Sequence, residues 1–123
     1  MAQKEKELLL IDLYARLPYG VMVEITSDGG MVEASYDMRL DAGLLADLLH
    51  CEDDFKPYLR PMSSMTKKEK NRYDILVEET VYRPGVLTCS SLINFCHKHH
   101  LDNLGLIEKG LALEAPEGMY KTE

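Results

Sequence analysis

From residue 4 to residue 17 the apolar positions Leu10, Leu13, Tyr14 and Leu17 return at helical spacing, and Leu9 widens the stripe. The pattern predicts a helix with a solvated first turn from Lys4 to Glu7. Pro18 ends it, because the residue before a proline avoids the α region. The period then changes. Val21, Val23 and Ile25 alternate with Met22, Glu24 and Thr26, and Val32, Ala34 and Tyr36 alternate with Glu33, Ser35 and Asp37. Ser27-Asp28-Gly29-Gly30 lies between the two runs as a turn sequence, since glycine reaches positive φ without strain. Residues 20–38 therefore predict a β-hairpin with one buried face.

Asp41 is placed to cap a short helix over residues 42–50, with Leu44, Leu45, Leu48 and Leu49 as its apolar face. Residues 55–61 are punctuated by Pro57 and Pro61 and suit an extended segment or short edge strand. Thr66-Lys67-Lys68-Glu69 reads as a capping box, in which threonine and glutamate each accept an amide hydrogen of the other. It opens a helix to about residue 82 with Tyr73, Leu76, Val77 and Thr80 on one face, broken by Arg83-Pro84-Gly85. Residues 90–100 predict a further helix capped by Thr88 or Ser90, with Asn103 or Gly105 at a left-handed position beyond its end. A late strand falls at about 110–115, and residues 116–123 read as a loosely held tail. The sum is an α+β fold: a small, mostly antiparallel sheet, made of the hairpin and the late strand, covered by three to four helices.

Length and composition keep this to one domain. The chain has 123 residues, enough for one core without staples. Its 14 basic and 21 acidic residues leave a net charge of −7, which disfavours binding to phosphate backbones, so no nucleic-acid partner is expected. The densest basic run, Lys67, Lys68, Lys70 and Arg72, is interrupted by Glu69 and Asp74 and reads as a solvated helix face. The run Leu8 to Ile11 is too short for a secretory leader, and no run has the ~20 apolar residues of a membrane span. Three cysteines, Cys51, Cys89 and Cys96, form no disulfide framework. A cytoplasmic, reducing setting is the resulting expectation.

Three stretches also carry a resemblance: Ala15 to Val21 (ARLPYGV), Lys56 to Thr66 (KPYLRPMSSMT) and Gly105 to Ala112 (GLIEKGLA). In sequence and spacing they resemble a group of small uncharacterised proteins encoded by phages, prophages and other mobile elements of gut bacteria. The likeness spans most of the chain, and the middle stretch, with two prolines and two methionines, is the most specific. The resemblance implies an accessory protein of a mobile element and brings no activity, cofactor or site with it. Members of the group often carry an aromatic pair around an aspartate and an arginine before the last glycine motif. Here that segment is His100-Leu101-Asp102-Asn103-Leu104-Gly105, which lacks the arginine and one aromatic, so a function carried there would be altered.

Candidate chemistry is sparse. Cys96 and His100 are one helical turn apart, a spacing that places two zinc ligands together, with His50, Cys51 and Cys89 as distant further donors. The alternative is that Cys96 and His99 face the core while His97 and His100 solvate a helix end. A Cys/His nucleophile, with Cys89 best placed at a helix start, lacks a glycine-rich oxyanion loop. Tyr58, Arg60, Ser63, Ser64 and Thr66 set an arginine beside hydroxyls and a helix N-terminus, as in sites for small anions or nucleotide phosphates. Alternatively, Arg60 pairs with the acidic run Glu52 to Asp54. Phe55, Tyr58, Leu59, Met62 and Met65 are denser in apolar residues than a loop needs, and form either a plug of the core or a partner-binding patch. The reading these support is a non-enzymatic binding protein without a cofactor, contacting a partner protein or a second copy through residues 55–66.

Overall fold

The computed structural model describes residues 2–28, 33–50 and 54–120, and confirms the α+β class. Helix α1 (Gln3–Arg16) leads through a 3-10 turn at Leu17–Tyr19 into strand β1 (Met22–Asp28), which pairs with β2 (Glu33–Arg39). Helix α2 (Ala42–His50) and strand β3 (Asp54–Leu59) follow, then α3 (Lys67–Tyr82), α4 (Val86–Lys98) and the two-residue β4 (Leu113–Glu114). The sheet order is β2-β1-β3-β4, antiparallel except for the parallel β3–β4 pair. The two strands of the hairpin lie where alternation puts them, while its Gly29–Gly30 turn and Val32 fall outside the described residues.

The sheet is covered on one face. Val21, Val23, Ile25, Phe55 and Leu59 are buried against Leu9 and Leu13 of α1 and Leu44, Leu45 and Leu48 of α2. The register sets Glu24 beside Asp37 and Lys56, so these polar side chains share the other, open face, as in a sheet with one solvated side. Strand β3 is internal to the sheet, not an edge. Its neighbour β4 pairs with Tyr58 and Leu59, so among the described residues Pro57 has no strand partner on that side, where a proline is tolerated. Gly20, at φ 70, turns the chain into β1; a Cβ there would lie 2.5 Å from Arg39 Nη2.

Several expectations shift in detail. On α1 the buried face is Leu9, Asp12, Leu13 and Arg16, while Tyr14 is exposed. The apolar stripe misled because two charged residues face inward as a pair. Leu49 is likewise exposed on α2, whereas Asp41 caps as expected, its Oδ1 accepting from Leu44 N at 2.8 Å. Helix α4 starts at Val86, earlier than Thr88 or Ser90, and the Thr88 hydroxyl donates to the carbonyls of Arg83 and Gly85. It ends in a Schellman turn: Leu101 N donates to Cys96 O, and His100 N to His97 O. The left-handed position that caps the helix is taken by His100, at φ 59; Gly105 is also left-handed, at φ 70, in the turn beyond it.

The tail is docked as far as Tyr120. Its hydroxyl accepts from Met22 N at 2.8 Å and donates to Tyr58 O at 2.7 Å, and its ring stacks on His100 at 3.8 Å. Burial pushes the phenol up to about 12, so it stays a donor. Tyr120→Phe strands one amide and one carbonyl, and is expected to cost about 1–2 kcal/mol. Tyr120→Ala, which also removes the stacking, costs more; urea midpoints of the two variants check the order.

Candidate functional site

The capping box that opens α3 does more than cap. Thr66 Oγ1 accepts from Glu69 N at 3.2 Å, and Glu69 Oε1 accepts from Thr66 N at 2.8 Å. From position N3 the Glu69 side chain turns inward, where it is 3 % exposed. There Arg60 meets it in a two-pronged pair, Nη1 to Oε2 and Nη2 to Oε1, each at 2.8 Å. The same guanidinium donates to the carbonyls of Ser64 and His99, and His99 Nδ1 lies 3.0 Å from Glu69 Oε2. The hydrogen bonds from Arg60 hold the Glu69 carboxyl down at about 2, against the upward push of burial. Arg60 pairs with Glu69; of the acidic run Glu52 to Asp54, Glu52 and Asp53 lie outside the described residues.

A second buried pair lies beside the same chain segment. Arg16 is fully buried; its Nε meets Asp12 Oδ2 at 2.8 Å and its Nη2 donates to Leu101 O and Asn103 Oδ1. Asp102 Oδ1 and Oδ2 accept from the amides of Leu106 and Ile107. Backbone hydrogen bonds from Arg60 N to His100 O and from Asp102 N to Arg60 O splice this segment to the end of β3. The three stretches quoted for the mobile-element resemblance thus converge in space: Arg16 from the first, Arg60 from the second, and the Gly105 turn joined to them through Asp102.

The proposed anion-binding set is divided by this arrangement. Tyr58 projects to the open sheet face, its hydroxyl 2.9 Å from Asp37 Oδ1 and 3.1 Å from Glu24 Oε2; burial and these two acceptors raise its pKa. Arg60, Ser64 and Thr66 do border one groove, of about 520 Å³, but Glu114 and Glu117 form its other wall and the Arg60 charge is met by Glu69. Ser63 lines a different cleft, with Asp102 and Glu108. The proposed partner patch divides too. Phe55 and Leu59 belong to the core at 1 % and 0 % exposure, while Met62 and Met65 are half-buried. The stretch is mainly the plug of the core.

The Cys/His cluster is pulled apart by the end of α4. Cys96 is buried, with its thiol pushed up by burial, and His97 is buried too, where burial pulls its imidazole down. His97 is not one of the solvating residues of the helix end. His100 lies past the last helical residue, so helical spacing no longer sets it over Cys96; burial and neighbouring cations pull its pKa to about 4. His50 is exposed on α2, Cys89 is exposed on α4, and Cys51 lies outside the described residues. Among the described residues no group of three or more His, Cys, Asp or Glu is placed to hold a metal ion. No described helix is long and apolar enough to cross a membrane.

What remains open is the far end of the α3–α4 hairpin. Every residue from Val81 to Leu87 is exposed, and Val81, Tyr82, Val86 and Leu87 show 70 to 83 % of their surfaces to solvent. Sequence reasoning passed over these residues because they flank Arg83-Pro84-Gly85, a breaker. The signal was there: each lies off the inward face of its helix set by Leu76 or Cys96. No protein-family model, curated protein or solved structure matches the chain.

The buried pair makes two predictions. Arg60→Ala is expected to cost about 3–5 kcal/mol, because it strands a buried carboxylate, and adding Glu69→Gln should recover part of that loss. The Glu69 carboxyl lies near 2 when folded against 4.5 ordinarily, so its stabilisation is complete above about pH 4.5 and is lost as pH falls toward 2. On the order of 3 kcal/mol is at stake. Urea titrations across that range check both, with Glu69→Gln flattening the acid limb.

Proposed function

We propose that this is a non-enzymatic accessory protein of a mobile element, acting by binding a partner protein or a second copy of itself. The observation that carries this reading is the exposed apolar end of the α3–α4 hairpin. Four large apolar residues, two on each side of one turn, hold their surfaces in water at the point farthest in sequence from both helix anchors, Glu69 and Cys96. Apolar clusters of this kind on a folded domain mark contact surfaces. The net charge of −7 and the resemblance to mobile-element proteins support the same reading. The contact moves from residues 55–66 to the hairpin because Phe55, Leu59 and Arg60 are already engaged within the chain.

The experiment is a comparison of tagged wild type with a Tyr82→Ser, Leu87→Ser variant in cells that carry the protein. Wild type is expected to retain a specific protein or a second copy of itself. The variant should release it while keeping its melting temperature within about 2 °C, as surface substitutions do. Identical retention by both forms would remove the hairpin as the contact, and a solitary chain in every sample would count against the binding function.

A further inference from the structure

One side of the α3–α4 hairpin has an order of charges that fits a copy of itself. On α3, Arg72, Ile75, Glu79 and Tyr82 follow at spacings of three, four and three, which aligns them along one flank of the helix. All four are exposed. On α4, Leu87, Ser91, Asn94 and Lys98 recur at spacings of four, three and four and form the neighbouring flank. Two shallow grooves run along this side and share Ile75. The groove toward the start of α3, about 540 Å³, is bordered by Arg72 and Lys98. The groove toward its end, about 460 Å³, is bordered by Glu78, Glu79 and Tyr82, with Arg83 at its limit. The face thus reads basic, apolar, acidic. Arg72, Glu78 and Glu79 have no ion-pair partner in their own chain among the described residues.

We propose that this face receives a second copy of the same chain, with the two α3 helices antiparallel about a two-fold axis at Ile75. This rests on the protein-binding reading above and names its occupant. A two-fold contact requires a self-complementary surface, since each residue that meets another is met by it in return. Under that axis Arg72, three positions before Ile75, lies opposite Glu78 and Glu79, three and four positions after it, and the match occurs twice. Ile75 meets its own counterpart at the centre. Tyr82, seven positions after Ile75, reaches the basic end of the other α3, where aromatic rings suit cationic side chains. Leu87 is covered from the adjoining flank. The global charge of −7 on each copy opposes association, but solvent ions screen it beyond about 8 Å at physiological salt, while the paired groups sit closer than that.

Sedimentation of the untagged full chain from about 1 to about 200 μM, with four variants, tests the proposal. Wild type is expected to form a dimer that weakens as salt rises. R72E and E79R alone should each weaken it, R72E by about tenfold or more, since the side chains at positions 72 and 79 that meet across the axis then carry like charges. The double variant R72E/E79R should dimerise again. Mixing the two single variants should also restore a dimer, because the acidic side chains at positions 72 and 79 of one chain then face the basic side chains at positions 79 and 72 of the other. That recovery distinguishes a contact across the axis from a folding defect. A dimer indifferent to both single variants but lost in Tyr82→Ser, Leu87→Ser would overturn the α3 axis and keep the protein-binding reading. A monomer throughout, together with hairpin-dependent capture of a different protein, would overturn the second copy and keep that reading. A monomer with nothing captured would overturn both.

Discussion

Arg60 emerges from the end of β3 into a place where water is excluded, and its charge has to be answered there. Glu69 answers it through two hydrogen bonds at 2.8 Å, and the carbonyls of Ser64 and His99 take further donors. Desolvating two ions is costly, and such pairs hold only when their geometry and remaining hydrogen bonds are good. Here the groups come from four places: the residue that follows β3, the turn at Met62–Ser64, the first turn of α3 and the residue that caps α4. The pair therefore fixes where the helical hairpin leaves the body of the protein. Beyond Glu69, the only other α3 residue buried is Leu76, and the helix otherwise packs along α4, with Tyr73 beside Phe95.

The second guanidinium repeats the device from the other side. Arg16, paired with Asp12 on α1, reaches Leu101 and Asn103, and Arg60 reaches His99 in the same turn. The segment after α4 is held between two arginines, with His100 in a left-handed conformation that a Schellman turn and the stacked Tyr120 ring keep in place. Hydrogen-bonded polar networks of this kind specify one arrangement more than they add net stability. The consequence is a body many of whose polar groups are spent on internal order, with the Arg60 charge already met by Glu69.

Polarity and exposure are distributed in opposite senses over the rest of the surface. The open sheet face carries Glu24, Asp37, Lys56 and Tyr58, groups that water solvates well. The hairpin end carries Val81, Tyr82, Val86 and Leu87, which water solvates poorly. A chain with a charge of −7 has ample polar residues to cover its helices, and the apolar end stands out against that background.

The hydrophobic pattern by itself determined the elements: the first helix, the hairpin strands, the Asp41 cap, the capping box at Thr66 and the break at Arg83-Pro84-Gly85. These are local matters, set by period, proline geometry and amide hydrogen bonds within a few residues. Even the α+β class was legible, because period two and period 3.6 leave different marks. Tertiary structure decided the rest. The inward side of α1 includes Asp12 and Arg16, which no scale of hydrophobicity assigns to a core, although their i, i+4 spacing announces a pair. Glu69 reads as surface charge until Arg60, nine residues earlier, is folded against it. Whether Phe55 and Leu59 or Val81 and Leu87 remain in water depends on which surfaces other elements cover, and that is settled between residues far apart in the chain.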